Sequence, residues 1–214
     1  MDFALARQNM VKSQILPNRV TEPELLEVFF SAPREDFIDK KHREIAYSDY
    51  PVAMGSRRCL TPLQIARLVQ GLNVTAGKKI LVVGAGTGYE AHLIARLGAT
   101  VYALESDESL ATKGRNLTAR SAIHWKTSPL DAGWPDAAPF DGMMFCGAIP
   151  AVPQGYLGQL DRDGRLVAII GKPGDVVMDM IAMDGPGAVM QPRTIFQTVA
   201  DVLPGFKPSG RFEL

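Results

Sequence analysis

Cysteine and histidine are the scarcest chemically active residues in this sequence. Its 214 residues include only two cysteines, Cys59 and Cys146, and three histidines. Two cysteines so far apart cannot form a disulfide framework or a paired zinc ligand set, and no histidine has a Cys or carboxylate at metal-ligand spacing. We therefore expect a reducing compartment and no metal site.

An excess of charge and long apolar runs are also absent. Lys plus Arg equals Asp plus Glu at 23 each, so no global field attracts nucleic acid or an anionic membrane, and we expect neither as a partner. No segment reaches 18 apolar residues, and the charged start MDFALARQNMVKSQ lacks the features of a signal peptide. These absences predict a cytoplasmic protein. They leave its oligomeric state open.

The hydrophobic pattern predicts helices first and an alternating α/β arrangement afterwards. Through about residue 45 the chain reads as helical, with one helix ending at Pro17 and a second opening with Thr21 as N-cap and stopping before Pro33. Residues 46–62 predict a loop. In TPLQIARLVQGL, Thr61 is the predicted N-cap, with Gly71 past the helix end. Strands and helices then alternate, which indicates a mostly parallel sheet with edge strands after about residue 176.

A glycine turn stands at the centre of this pattern. The stretch LVVGAGTGY, residues 81–89, reads as a buried strand followed by Gly84, Gly86 and Gly88 and then a helix. Glycine allows positive φ and a close approach of the backbone to a ligand, and the helix N-terminus favours electronegative groups there. A tight strand-to-helix connection also uses glycine. The turn alone is therefore a weak signal.

The next strand ends in an acidic residue, Glu105, which strengthens the interpretation. A carboxylate at that position can accept hydrogen bonds from ribose hydroxyls in nucleotide-binding folds. Together these elements predict an adenosine-containing ligand, either S-adenosylmethionine or NAD. A dinucleotide turn has the spacing GxGxxG, and its third glycine is replaced here by Tyr89, which disfavours NAD.

Several further stretches resemble one family. In order they are MVKSQI, APREDFID, AYSDYPVAMG, ILVVGAGTGY and DAGWPDAAPFDGMMFCGAIPAVPQGYLGQLDRDGRLVAIIG. This order is similar to that of the protein-L-isoaspartate O-methyltransferases over roughly residues 10 to 172. The resemblance implies a class I, Rossmann-like fold that binds S-adenosylmethionine and methylates isoaspartyl residues in damaged peptides or proteins. It divides a single domain, 1–214, into an N-terminal helical and substrate-loop segment (1–60), a cofactor-binding core (61–175) and edge strands (176–214).

The resemblance also implies where the cofactor and the substrate bind. An ionised carboxylate attacks the methyl carbon without a general base, so catalysis rests on alignment and on a dry site. The candidate catalytic residues are Arg57, Arg58 and Thr61. The candidate cofactor-binding residues are Gly84, Ala85, Gly86, Gly88, Glu105, Ser106, Pro129 and Leu130.

The sequence departs from the family on the substrate side. The hydroxyl residue that ends the family's substrate loop falls on Leu60, which cannot hold a carboxylate. Thr61 could supply the hydroxyl if the register slips by one, although an N-cap oxygen is already occupied. Arg57 and Arg58 stand where the family has neutral residues, and a guanidinium is a planar, bidentate carboxylate clamp. They are either a clamp for a different anion or a solvated loop pair.

The cofactor side departs as well. Val82 replaces an acidic residue that organises the turn, and Pro129 replaces one that meets the adenine. Each lost hydrogen bond predicts weaker binding by about 1 to 2 kcal/mol unless it is replaced. Asp131 is close enough in sequence to replace the adenine contact. Two alternatives to isoaspartyl repair stay open: a methyltransferase with a changed acceptor, and a non-catalytic binding or regulatory protein that keeps the fold.

Overall fold

The N-terminal part of the protein is helical. The structure, a computed structural model, describes residues 1–188 and 191–206. Its first elements are α1 (Phe3–Met10), a π-helical turn (Val11–Ile15), a 3-10 turn (Leu16–Asn18), α2 (Pro23–Ser31), α3 (Arg34–Phe37) and a 3-10 turn (Lys40–Ile45). The first helical stretch ends where predicted, after Pro17, with Arg19 in the left-handed region at φ 62°. No helix within the described ranges is long and apolar enough to cross a membrane.

A small hairpin and a seven-stranded sheet follow. The strands are β1 (Ala53–Met54), β2 (Arg57–Arg58), β3 (Lys79–Val83), β4 (Thr100–Glu105), β5 (Ile123–Thr127), β6 (Phe140–Ile149), β7 (Leu160–Ile170), β8 (Met178–Asp184) and β9 (Arg193–Thr198). β1 and β2 pair with each other, and the sheet order is β5-β4-β3-β6-β7-β8-β9. β3 to β7 are parallel, while β8 and β9 are antiparallel. From β3 to β5 each new strand is added on one side of the sheet, and from β6 onward on the other side. The strand order therefore reverses between β3 and β6, and ligands bind at such a point in open α/β sheets.

Both faces of the sheet are covered. The remaining helices are α4 (Pro62–Leu72), α5 (Tyr89–Arg96), α6 (Glu108–Leu117) and α7 (Gln154–Leu157). Successive side chains of β3 point to opposite faces, so Ile80 packs in one core with residues of α4 and α5, and Leu81 packs in a second core with Tyr156 of α7. Among the described residues, the helical elements on the second face are α7 and two 3-10 turns, Leu130–Ala132 and Pro135–Ala137. Prolines in the connection from β5 to β6 prevent a long helix there.

Three local predictions were wrong. Glu22, not Thr21, is the N-cap residue of α2, and it makes no side-chain capping bond. Gly71 lies inside α4, which ends at Leu72 and has Asn73, with φ 54°, as its C-cap residue. A Cβ at Gly71 would lie 2.5 Å from Ile195 Cδ1 of β9, so close helix-to-strand packing explains this glycine. The predicted loop 46–62 contains the β1–β2 hairpin. Of the predicted edge segment 176–214, residues 189–190 and 207–214 lie outside the described part.

The two threonines give a test of capping. The Thr61 hydroxyl accepts from the Gln64 backbone N–H at 3.4 Å, and the Gln64 side chain accepts from the Thr61 N–H at 2.8 Å, a complete capping box. We expect Thr61→Ala to lower the free energy of unfolding by about 1 kcal/mol, because the Gln64 backbone N–H loses its acceptor at the start of the helix. Thr21→Ala is the control, and it should leave the free energy of unfolding unchanged when both variants are measured by urea titration. Equal effects of the two substitutions would contradict this assignment.

Candidate active site

The glycine turn lies at the carboxyl edge of the sheet, beside the point where the strand order reverses. β3 ends at Val83, and the turn from Gly84 to Gly88 leads into α5. All three glycines have positive φ, at 73° for Gly84, 58° for Gly86 and 92° for Gly88. Glycine takes this conformation without strain because it has no Cβ. The turn therefore brings the backbone to the edge at which ligands bind in open α/β sheets.

Glu105 ends β4 beside this turn and is fully buried. Its Oε2 accepts from the Gly86 N–H at 2.7 Å. Its Oε1 accepts from the backbone N–H groups of Ser106 at 2.8 Å and Asp107 at 3.0 Å. These three donors fix the orientation of the carboxylate. The predicted relation between the turn and the acidic residue is therefore present in the structure as a direct hydrogen bond.

Arg57 of β2 reaches into the same place. Its Nη2 donates to Glu105 Oε2 at 2.6 Å and to the Gly84 carbonyl at 3.0 Å, and its Nη1 lies 3.3 Å from Glu105 Oε1. The Arg57 side chain is 5% exposed, so the pair is buried and bidentate. Burial raises the pKa of the Glu105 carboxyl, but the hydrogen bond and charge of Arg57 outweigh it and hold that pKa below its ordinary value. Glu105 is therefore ionised at neutral pH.

Two apolar side chains fill the open faces of the turn. A Cβ placed on Gly86 would lie 2.6 Å from Met54 Sδ and Cε. A Cβ placed on Gly84 or on Gly147 of β6 would lie 2.7 Å from Leu203 Cδ2. Met54 belongs to β1, and Leu203 belongs to residues 199–206, which we call the strap. The space above the turn is thus taken by this chain's own side chains.

The strap crosses the carboxyl edge next to β6. The Ala148 N–H donates to the Asp201 carbonyl at 2.9 Å, and the Leu203 N–H donates to the Ala148 carbonyl at 2.8 Å. Asp201 also binds the hairpin, since its Oδ2 accepts from the Arg58 backbone N–H at 2.8 Å and from Arg58 Nε at 3.1 Å. The hairpin and the strap are thereby joined over the glycine turn.

An S-adenosylmethionine ribose does not fit at Glu105 in this conformation. Both carboxylate oxygens already accept two or more hydrogen bonds, and one donor on each oxygen is Arg57. Ribose hydroxyls would need the positions that the guanidinium holds. The backbone frame of the turn is that of a nucleotide site, but its interior is occupied by Arg57, Met54 and Leu203.

The structure brings the predicted cofactor residues together with one exception. Gly84 and Glu105 accept from the Arg57 guanidinium, Gly86 and Ser106 donate to Glu105, and Ala85 lies between the two glycines, buried. Gly88 turns away from them. A Cβ on Gly88 would lie 2.8 Å from Trp125 Cζ2, so close packing against the indole explains this glycine without a ligand. Its role in cofactor binding has no support from this geometry.

Pro129 and Leu130 lie near the same edge but differ in accessibility. Pro129 lines a cleft of about 440 Å³ whose other residues are Ser106, Thr127, Ser128, Leu130, Pro204 and Gly205. Leu130 itself is fully buried, and its carbonyl accepts from the Tyr156 hydroxyl. Because Ser106 joins this cleft to Glu105, the cleft is the space in which a base attached to a ribose at Glu105 could lie.

The predicted catalytic residues occupy three different environments. Thr61 uses its hydroxyl as the cap of α4. Arg58 projects outward, 56% exposed, and pairs with Asp201, whereas Arg57 points inward. The Leu60 side chain is buried and its carbonyl accepts from Arg34 Nη2 at 2.6 Å. Of the three candidates, Arg58 alone is available to a substrate from solvent in this conformation, and the catalytic roles of all three stay predictions.

Residues that the sequence reasoning missed complete the site. Met54, Asp201 and Leu203 had no motif to mark them, since their importance depends on contacts with the turn or with Arg58. Val82, at the position where the family has an acidic residue, is fully buried among apolar residues. In residues 1–188 and 191–206, no three His, Cys, Asp or Glu side chains lie close enough together to hold a metal ion.

Sequence comparisons place this chain among known methyltransferases. The sequence model of the family described as protein-L-isoaspartate(D-aspartate) O-methyltransferase (PCMT) matches residues 6–199. A protein-L-isoaspartate O-methyltransferase of Pelotomaculum thermopropionicum is 33% identical over 196 residues, which cover 89% of this chain and 86% of that protein. One of Geobacter metallireducens is 32% identical over 195 residues, which cover 89% and 90%.

Solved structures agree on the fold. A protein-L-isoaspartate O-methyltransferase superposes with a TM-score of 0.81 at 18% identity, covering 94% of this chain and 67% of that one. A Plasmodium falciparum protein described with the same activity, in complex with S-adenosyl-L-homocysteine, gives a TM-score of 0.74 at 16% identity and covers 97% and 99%. These likenesses confirm the predicted class I methyltransferase fold. Taken with the family match over residues 6–199, the relatives above 30% identity show that this chain belongs to the protein-L-isoaspartate O-methyltransferase family.

Proposed function

We propose that this protein methylates the carboxylate of isoaspartyl residues in damaged peptides or proteins, with S-adenosylmethionine as cofactor. The observation that carries the proposal is the buried Glu105 carboxylate, held 2.7 Å from the Gly86 N–H at the carboxyl edge of a parallel sheet. A carboxylate in this position is suited to ribose hydroxyls. Glu105 can bind ribose hydroxyls only in a conformation in which Arg57 no longer contacts it.

The residues of the chain would bind and align the reactants. S-adenosylmethionine, when bound, supplies the electrophilic methyl group. The backbone of Gly84, Ala85 and Gly86 and the Glu105 carboxylate would hold the cofactor. The isoaspartyl carboxylate is ionised at neutral pH, so no side chain needs to act as a base.

Arg58 is the candidate for holding the substrate. It already binds a carboxylate, that of Asp201, at an exposed position on the hairpin. A substrate carboxylate could exchange with Asp201 there, because both are anions of the same shape and a guanidinium accepts either in a bidentate manner. We also assign the activity to the cytoplasm, which the two buried, unpaired cysteines support.

A non-catalytic member of the family is the second candidate. It is favoured by one observation, the complete occupation of the Glu105 oxygens by donors from this chain. Such a protein would retain the fold and the hairpin-to-strap contacts for binding a partner.

Methyl transfer from labelled S-adenosylmethionine distinguishes the candidates. We expect base-labile label on an isoaspartyl peptide and none on the same peptide with a normal aspartyl residue. Arg165→Ala, which alters an ion pair with Asp184 on the outer strands, is a matched variant that should retain the activity. Absence of label from a folded preparation at saturating cofactor would contradict the proposed reaction and favour the second candidate.

A further inference from the structure

We propose that Arg57 is an internal competitor of the cofactor. Its guanidinium occupies the position on Glu105 that the ribose hydroxyls require, and the hairpin and strap keep it there. The inference rests on the proposed function, since it names a control on the same site. It predicts that the ligand-free protein is mostly closed and that cofactor binding must displace Arg57, Met54 and Leu203.

The occupying side chains all come from peripheral segments. Arg57 and Met54 belong to a hairpin with only two residues per strand, and Leu203 belongs to the strap. The ligand-binding frame, in contrast, consists of β3, β4 and the start of α5, which are central to the fold. Short segments with few backbone hydrogen bonds open at low free-energy cost, whereas the central strands do not. The occupants can therefore leave while the frame persists.

The connection between the hairpin and the strap is weak enough to open. It depends on the Arg58–Asp201 ion pair, whose side chains are 56% and 27% exposed, and on the hydrogen bond from the Arg58 backbone N–H to the same carboxylate. Exposed pairs of this kind contribute little to stability because water solvates both charges when they separate. Opening also breaks the buried Arg57–Glu105 pair, the bond from Arg57 to the Gly84 carbonyl and the two backbone bonds between the strap and Ala148. Ribose hydroxyls can replace the interaction that Arg57 makes with Glu105.

Arg57 itself is imperfectly accommodated. Its Nε–H is buried and has no hydrogen-bond partner among the described residues. A buried donor without a partner lowers the stability of the closed arrangement. Arg57 also lines a cleft of about 530 Å³, together with Ser56, Arg58 and Asp201, among others. We expect this cleft to receive the side chain when it leaves Glu105. An ion pair with a purely structural role would need neither a buried donor without a partner nor a cleft beside it.

Calorimetry with S-adenosylhomocysteine tests the competition directly. The full chain is titrated as wild type, Arg57→Ala, Met54→Ala and Arg165→Ala. We expect Arg57→Ala to bind at least about tenfold more tightly than wild type, because a closed equilibrium reduces apparent affinity by the fraction of open molecules. Met54→Ala should bind about threefold more tightly. Arg165→Ala should equal wild type, as its ion pair with Asp184 lies away from the turn.

Met54→Ala is the control for misfolding of Arg57→Ala, because it opens space above the glycine turn but keeps the Arg57–Glu105 pair. Equal or weaker binding by the two opening variants, or no heat from any variant at millimolar ligand, would overturn the inference. Tighter binding by Arg57→Ala, together with no methyl transfer by the wild type, would refute the proposed function and retain the competitor. Methyl transfer by wild type with no gain in Arg57→Ala affinity would retain the function and refute the competitor.

Discussion

Glu105→Gln is expected to lower the free energy of unfolding by about 3 kcal/mol, measured by urea titration at neutral pH. The substitution removes the negative charge that faces Arg57 in a site where the two side chains are 0% and 5% exposed. A buried guanidinium without a counter-charge must either remain desolvated or leave a cavity behind. The adjoining cleft allows it to leave. We therefore expect the lower end of the range for a broken buried pair.

The effect of Glu105→Gln should depend on pH with a defined sign. Arg57 holds the pKa of Glu105 below its ordinary value, so the ionised carboxylate stabilises the fold above the unfolded-state pKa, and this stability is lost as pH falls through the folded-state pKa. The difference between wild type and variant should thus be present at pH 7 and shrink below about pH 4. Asp184→Asn, in a half-exposed pair, is the control and should change stability by less than about 1 kcal/mol. Equal losses in the two variants would contradict the assignment.

Gly114→Ala is expected to destabilise the protein by about 2 kcal/mol, although alanine normally favours a helix. Gly114 lies in α6, and a Cβ there would be 2.2 Å from Trp125 Cη2 and 2.5 Å from Cζ2. The indole cannot rotate away easily, because its Nε1–H donates to Thr118 Oγ1 at 3.0 Å and its Cζ2 and Cη2 atoms also lie close to Gly88. The added methyl group must displace the ring or the helix.

Gly155→Ala in α7 is the matched control for this substitution. A Cβ at Gly155 would meet no atom within 4 Å, so alanine should be neutral or stabilising there. Thermal unfolding of both variants, followed by tryptophan fluorescence, separates steric overlap from helix propensity. A Gly114→Ala protein as stable as wild type would show that the α6–Trp125 contact is looser than described.

Features set by neighbouring residues were predictable from the sequence. The Thr61 capping box depends on residues three apart, and the glycine turn with its flanking strand and helix depends on one short stretch. The parallel sheet followed from the alternation of buried strands and helical patterns, since such strands need helical crossovers. The relation between Gly86 and Glu105 was also predictable, because adjacent parallel strands end at the same edge.

The occupation of the site by Arg57 was not predictable in the same way. It joins residues 48 apart in sequence, through a hairpin too short to give a strand signal. The sequence alone leads to one interpretation of Arg57 and Arg58 together, either as a clamp for an anion or as a solvated loop pair. In a strand, consecutive side chains point to opposite sides, so Arg57 turns inward to Glu105 and Arg58 outward to Asp201. Recognition of 57–58 as a strand would have separated their roles.

A crystal structure of the wild-type protein grown with S-adenosylhomocysteine would show whether the cofactor replaces Arg57 on Glu105. We expect ribose hydroxyls within hydrogen-bond distance of the Glu105 carboxylate, with the Arg57 guanidinium displaced toward the cleft beside Arg58 and Asp201. Bound ligand elsewhere on the molecule, with Arg57 still on Glu105, would contradict it, because the family's cofactor would then have no place at the glycine turn.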